Sequence, residues 1–333
     1  MTEENQKAVR MTVKELVVHY EGFLTECERK QKQTRGTYQR ALREFVKWFP
    51  VDKRFRFTTR DVERYKKYLI EKKGLKNVSV ATYMTALRRF CQYLIDIDVL
   101  KTNPARTVVG GRRPSRHSRE FLTYQEVEAL LSAIERETTQ GTRDYAIIHM
   151  MLYCALSEHE CLNADVGDVQ TKSDGCRLIY VMGKGKKSKD QGVIITEEAG
   201  KALDEYLHRR YRDEEHNPAA PLFPSLSNRT LGKRMTARGM REAVNRWLRE
   251  SGVKGDRDRR LTPFSLRHTA GVMMVDQGAT VEEIMSRMRI EWRPTAQLYF
   301  RLRGSLGTVA TQEDSDHDAA DGVVAEHPEA SQS

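Results

Sequence analysis

The sequence predicts a mainly α-helical protein of two domains that carries one small antiparallel β hairpin. Its 333 residues exceed the usual size of a single domain. Apolar residues recur at helical spacing through most of the first 305 positions, which is the pattern of amphipathic helices. The clear exception is β-rich sequence at 177–182 and 192–195, on either side of a turn rich in glycine and lysine.

Residues 1–107 are expected to form a small helical bundle. Two amphipathic helices are predicted within residues 11–50, and the segment Thr34–Thr37 is expected to separate them. A third helix is expected to stop at Gly74, and a fourth to start near Asn77.

Residues 108–119 have the composition of a basic linker, because glycine, proline and serine make them a poor helix. The segment is compatible with a solvated tether or with contact to a nucleic-acid backbone. It contains four arginines: Arg112, Arg113, Arg116 and Arg119.

Residues 120–305 are expected to form the second domain, and the acidic tail 306–333 is expected to be disordered. The hairpin of this domain has a cationic tip. Its apolar periodicity predicts seven helices, at 123–136, 143–156, 197–213, 237–251, 266–277, 280–289 and 293–301.

The positive charge is concentrated in the body of the chain. The net charge is +10, but residues 306–333 hold seven acidic residues and no lysine or arginine, so residues 1–305 carry +17. Such an excess is typical of proteins that bind polyanions, above all nucleic acid, although it also serves simple solubility.

Several classes of protein are disfavoured. Five cysteines without a CxxC pair argue against a disulfide framework or a zinc ribbon, and favour a reducing cytoplasm. No apolar run has the length of a membrane helix, and the polar N-terminus does not resemble a secretory signal. We expect a cytoplasmic, nucleoid-associated protein without membrane contact, bound metal or cofactor.

Four motifs follow one another in the second domain. They are a segment Arg143–Tyr153 followed by Glu160, a Gly-Lys-Gly hairpin at 181–187, the sequence Leu261–Thr269 and a late Thr295–Tyr299. In this order and spacing, after a helical bundle and a basic linker, they resemble the tyrosine recombinases (phage-type and Xer-type integrases). The resemblance implies a SAM-like core-binding domain followed by an integrase-like catalytic domain.

The resemblance also implies a chemistry. In that family a tyrosine hydroxyl attacks a DNA phosphodiester and forms a 3′-phosphotyrosyl link without metal or nucleotide. Arginines with histidine or tryptophan hold the charged phosphate, and a hairpin lysine acts as acid. By position, Tyr299 corresponds to the nucleophile, Arg267 to the second clamp arginine and Lys184 to the hairpin lysine, with Lys186 and Lys187 as nearby substitutes. His268 corresponds to a secondary site residue.

Three of the six family positions carry other residues. Ser157 stands at the first clamp arginine, Phe264 at the first histidine of the H.LRH motif, and Ile290 at the clamp histidine or tryptophan. Each lost donor costs roughly 10²–10³ in rate, so catalysis is expected to be impaired. Trp292 is out of helical phase with the lost position, and Arg289 is expected to point elsewhere.

Contact with duplex DNA is expected from the linker arginines, from Lys186 and Lys187, and from Arg88 and Arg89 on the fourth helix. The sequence thus predicts a DNA-binding tyrosine recombinase homologue of a mobile genetic element, acting in DNA integration or site-specific recombination. We expect a pseudoenzyme that assembles on DNA with its own copies or with an active paralogue. Two alternatives stay open: an active recombinase with relocated clamp residues, and a non-recombining DNA-binding regulator.

Overall fold

The computed structural model describes residues 9–28, 32–52, 54–111, 120–183, 186, 188–212, 214–255 and 260–307. The chain forms two compact units, Met1–Ser115 and Arg116–Ser333. Among the helices of these ranges, none has the length and apolar character that crossing a membrane requires.

In its described residues the first unit is a bundle of four helices around a core rich in aromatic rings. The helices are α1 (Val13–Glu28), α2 (Lys32–Trp48), α3 (Thr59–Glu71) and α4 (Asn77–Asp96). Thr58 caps α3 in a capping box with Asp61, which explains why this helix begins at Thr59.

The predicted break at Thr34–Thr37 is wrong, because this segment lies inside α2. A glycine in a helix costs about 1 kcal/mol, which made Gly36 look like a separator. Leu42 and Phe45, farther along the same helix, are each 1% exposed, and burial of such a side chain contributes about 1.5–3 kcal/mol. Packing of this stripe therefore outweighs the local preference.

The folded part of the first unit continues past residue 107. Val108 is buried in its core. Gly110 and Gly111 lie against α4, where a Cβ on Gly110 would be 2.9 Å from the Cα of Ala81. The first residues of the predicted linker therefore pack on the bundle.

The second unit combines eight helices, a short 3₁₀ helix (Val166–Asp168) and one three-stranded sheet within its described residues. The helices are α5 (Tyr124–Ser132), α6 (Thr139–Tyr153), α7 (Glu158–Asn163), α8 (Glu197–Tyr211), α9 (Ala237–Glu250), α10 (Pro263–Asp276), α11 (Val281–Arg287) and α12 (Arg293–Phe300). The strands are β1 (Val169–Thr171), β2 (Arg177–Val181) and β3 (Gln191–Ile194).

The sheet is antiparallel in the order β1-β2-β3. The predicted hairpin is confirmed, since Val181 pairs with Gln191 at the end next to the turn. Strand β1 and helix α7 were not predicted, because three and six residues are too few to show a period.

Helix α6 is buried along almost its whole length and begins and ends earlier than predicted. The hydroxyl of Thr138 accepts a hydrogen bond from the Gly141 amide and starts the helix. Tyr153 is its last residue, and Ala155 takes a left-handed conformation with φ 49°. That turn sends the chain toward α7.

A second apolar cluster joins α10, α11 and α12. Leu306, which the sequence placed in the acidic tail, is 1% exposed in this cluster, and its carbonyl accepts from the Tyr124 amide. The rest of the predicted tail, from residue 308, lies outside the described residues.

Candidate active site

Helix α10 carries three of the residues that the sequence singled out. A capping box of Thr262 and Ser265, with Pro263 in the first turn, starts the helix before the predicted residue 266. Positions three and four apart share a helix face, so Phe264 and the pair Arg267 and His268 lie on neighbouring turns. Arg267 and His268 are 9% and 5% exposed.

Tyr299 lies on α12 and faces α10. Its hydroxyl is 2.9 Å from Nδ1 of His268, and its ring is 2% exposed. Where Nδ1 carries no proton, the phenol donates this hydrogen bond, and the imidazole can accept the phenolic proton. The structure thus brings together the predicted nucleophile and the predicted secondary histidine.

The close approach of Tyr299 to α10 requires a glycine. A Cβ on Gly271 would lie 2.5 Å from Cε1 of Tyr299 and 2.7 Å from the sulfur of Met288. We expect Gly271→Ala to destabilise the second unit by about 1–3 kcal/mol, because the buried ring must shift. Calorimetric unfolding measures the loss. Gly239→Ala in α9, where the new methyl meets only ordinary contacts, is the control and should not lower the stability, because alanine is more favourable in a helix than glycine.

Arg267 is bound within the unit rather than exposed. Its Nη1 donates to the Ala155 carbonyl at 2.8 Å and to Glu160 Oε2 at 2.9 Å, and its Nη2 donates to the Met288 carbonyl. Burial lowers the pKa of the Arg267 guanidinium, whereas the negative charge of Glu160 acts in the opposite direction. Arginine nevertheless remains charged in proteins.

Ser157, at the position of the first clamp arginine, caps helix α7. Its hydroxyl accepts from the Glu160 amide, and its own amide donates to Glu160 Oε2 at 2.6 Å. This capping box holds the Glu160 carboxylate in the direction of Arg267. The substituted position therefore orients an acidic group instead of supplying a cation.

The expectation that Arg289 points elsewhere is wrong. Its Nε donates to Glu160 Oε1 at 2.6 Å, and its Nη2 donates to Glu160 Oε2 and to the Ala155 carbonyl, both at 2.8 Å. The side chain is 8% exposed. Arg289 has φ 52°, and nothing in the sequence indicates a left-handed backbone at an arginine.

Glu160 therefore holds two guanidinium groups. Burial on its own raises the pKa of this carboxyl, but the hydrogen bond and charge of Arg289 and the charge of Arg267 outweigh burial and keep the pKa low. Two cations and one anion leave a net charge of +1. The sequence motifs include Glu160, but they do not indicate the second arginine that binds it.

The other two substituted positions are apolar in character. Phe264 packs edge-on against His268, with 4.9 Å between the ring centroids, and Ile290 joins the apolar cluster of α10, α11 and α12. Neither side chain can donate a hydrogen bond to a phosphate. Trp292 is 70% exposed at the start of α12.

The cations predicted for the hairpin are described only in part. Lys184 and Lys187 lie outside the described residues, and Lys186 is exposed. Lys189, which the prediction did not single out, donates to Asp165 at 2.6 Å and to Asp168 at 2.5 Å. This bond ties the chain before β3 to the 3₁₀ helix.

Arg88 and Arg89 differ in what they contact. Arg88 is half-buried, and its guanidinium donates to the carbonyls of Ala105 and Val108, both at 3.0 Å. Arg89 is exposed. Arg88 thus holds the end of the first unit, whereas a DNA contact from Arg89 stays a prediction. The linker residues Arg112, Arg113, Arg116 and Arg119 lie outside the described residues.

Within the described ranges, no group of three or more His, Cys, Asp or Glu side chains could hold a metal ion. Cys154 and Cys161 are buried, and burial raises the pKa of the Cys154 thiol to about 11. The ring of His149 lies between those of Tyr145 and Tyr153, tilted to each, and burial lowers its pKa to about 4. These groups serve the core.

Two family profiles match the chain. The phage integrase family matches residues 120–303, and the phage integrase N-terminal SAM-like domain matches residues 17–97. Tyrosine recombinase XerC of Chlamydia caviae is 27% identical over 262 residues, which cover 78% of this chain and 79% of the relative. Tyrosine recombinase XerC of Haemophilus influenzae is 28% identical over 232 residues, covering 70% and 73%.

Solved recombinase structures share the fold. The XerH site-specific recombinase bound to a palindromic difH substrate, in a post-cleavage complex, superposes with a TM-score of 0.67 at 16% identity and covers 89% of this chain and 83% of the other. Lambda integrase bound to DNA superposes with a TM-score of 0.61 at 15% identity, covering 88% and 97%.

Proposed function

The chain belongs to the phage integrase family, and we propose that it binds double-stranded DNA and carries out site-specific recombination through a covalent link to Tyr299. One observation carries the proposal: the Tyr299 hydroxyl lies 2.9 Å from His268 Nδ1, on the helix that also presents Arg267. In this proposal Tyr299 is the nucleophile, His268 accepts its proton and Arg267 binds the phosphate.

The reaction follows from these groups. The Tyr299 oxygen attacks the phosphorus of a DNA strand as its proton passes to His268, and the bond from phosphorus to the 5′ oxygen breaks. The leaving 5′ oxygen takes a proton from a lysine of the hairpin, for which Lys184 is our candidate. Because Tyr299 is 2% exposed, α12 must shift for a duplex phosphate to reach it.

The apolar residues at Phe264 and Ile290 set the expected rate. Each removed donor costs roughly 10²–10³, so this chain should cleave more slowly than recombinases with a full set. In this proposal the chain still cleaves DNA, but more slowly. The matched relatives and the DNA-bound structures support duplex DNA as the substrate. We propose that the chain acts in the cytoplasm and that it assembles on the duplex with its own copies or with a paralogue.

A second candidate function is a DNA-binding accessory subunit that leaves cleavage to a paralogue. The same two side chains favour it, because neither can donate to a phosphate.

Trapping distinguishes the two candidates. A duplex that binds the chain is first selected from a pool of random sequences. The duplex is then nicked near the cleavage position, so that cleavage releases a short fragment that diffuses away and the covalent complex accumulates. An adduct that survives denaturing electrophoresis supports cleavage. Binding without an adduct supports the accessory role or a regulator, and absence of binding contradicts every version.

Linker arginines provide a test of DNA binding on its own. Each phosphate contact contributes about 0.9 to the slope of log affinity against log salt. Replacing Arg116 with alanine should therefore weaken binding and lower this slope by about that amount. Affinities measured between 50 and 200 mM salt give the slope. Arg136→Ala, which removes a charge already paired with Glu205, is the control, and an equal effect of both variants would contradict the prediction.

A further inference from the structure

A second arginine lies close to Ser157, just after α11. Arg289 follows this helix and reaches Glu160, whose Oε2 also accepts from the Ser157 amide. One carboxylate oxygen thus joins the substituted position to the guanidinium of a residue far along the chain. A longer basic side chain at position 157 would enter the same neighbourhood.

The backbone around this network is unusual in two places. Ala155 and Arg289 both have left-handed conformations, with φ 49° and 52°. A left-handed residue other than glycine costs about 1–2 kcal/mol, and such residues persist where the surroundings hold them. Here the Ala155 carbonyl accepts from Arg267 and from Arg289, so the two turns meet at one point.

Arg289 changes both the charge and the free donors of this network. With Arg267 alone, Glu160 would form a neutral pair that has little attraction for an anion. Arg289 restores a net positive charge and binds both carboxylate oxygens. Among contacts of the described residues, three of the five N–H groups of Arg267 have acceptors, so two remain for a phosphate oxygen.

We infer that Arg289 is a positioning residue that compensates for the arginine absent at Ser157: it offsets the charge of Glu160 and so keeps Arg267 able to bind the phosphate. This inference deepens the proposed function and rests on it for the identity of the phosphate as the one in DNA.

The test uses the full chain and two measurements. Inorganic phosphate is titrated calorimetrically at constant ionic strength, and adduct formation is followed on the nicked duplex. The variants are Arg289→Met, which keeps the volume and leaves Glu160 paired with Arg267, Arg289→Lys, and the double variant Arg289→Met with Ser157→Arg. Arg287→Ala, an exposed arginine at the end of α11, is the control.

We expect Arg289→Met to remain folded and to lose phosphate affinity at least about tenfold and adduct rate about 10²-fold. Arg289→Lys should lie between it and the wild type, and the double variant should recover both quantities. Arg287→Ala should change neither.

Three results would overturn the inference. They are wild-type behaviour of Arg289→Met in both measurements, failure of Ser157→Arg to restore a folded Arg289→Met chain, and no phosphate binding by the wild type. If Arg289→Met does not fold, the lysine variant decides: phosphate affinity that is retained, in full or in part, supports a charge role, and complete loss of phosphate affinity contradicts it. If phosphate affinity changes among the variants as expected but the wild type forms no adduct, the proposed cleavage is refuted and the inferred role of Arg289 is retained.

Discussion

Replacing Tyr299 with phenylalanine is expected to abolish the covalent protein–DNA adduct. The phenolic oxygen is the atom that would bond to phosphorus, and phenylalanine lacks it. The variant also loses the hydrogen bond to His268, which should cost about 0.5–1.5 kcal/mol of stability. Denaturing electrophoresis of the nicked duplex after incubation gives the amount of adduct, and calorimetry gives the stability.

DNA affinity should be nearly unchanged in Tyr299→Phe, because the removed hydroxyl is buried and binding depends mostly on phosphate contacts. Tyr153→Phe is a matched control. Tyr153 is half-buried and packs against the apolar cluster of α10, α11 and α12, and its variant should still form the adduct. An adduct that persists in Tyr299→Phe would assign the nucleophile to another residue.

Much of the fold could be predicted because long helices repeat their apolar residues many times. Helices α3 and α4 and the strands β2 and β3 lie close to where the sequence puts them. The errors occur where a local signal competes with packing or where an element is short. Gly36 indicated a break, yet the stripe that contains Leu42 and Phe45 continues the helix through it.

In the candidate site, too, some residues could be predicted from the sequence and another could not. Motif order predicts Tyr299, Arg267 and His268 as site residues. In the structure Tyr299 and His268 share a hydrogen bond, and Arg267 lies beside His268 on the same helix. The position of Arg289 could not be predicted from motif order. The direction of its side chain depends on a left-handed backbone and on a carboxylate that lies 129 positions earlier in the chain. A contact of that kind depends on tertiary structure, which spacing along the sequence does not encode.

Replacing Glu160 with glutamine is expected to destabilise the second unit by about 3–5 kcal/mol, because two buried guanidinium groups lose their counter-charge. The amide nitrogen of glutamine would also face donors of Arg267 or Arg289. A loss of this size lowers the unfolding temperature by roughly 6–20 °C in a unit of about 200 residues. Calorimetry of the full chain measures it.

Glu158→Gln in the same helix is the matched control. Its carboxylate pairs with Arg241, whose side chain is 59% exposed, so its loss should cost less than about 1 kcal/mol. Equal destabilisation by the two variants would contradict a special role for the buried carboxylate.

In the wild type, acid should remove the stability that the Glu160 carboxylate contributes. The pKa of Glu160 is lower in the folded chain than its ordinary value, so its stabilising effect is complete above the unfolded pKa of about 4.3. The effect is lost as the pH falls below that value toward the folded pKa. The difference in stability between the wild type and Glu160→Gln should therefore be constant from pH 6 to 7 and shrink below about pH 4. A difference that does not change on acidification would mean that the carboxylate charge is not what holds Arg267 and Arg289 in place.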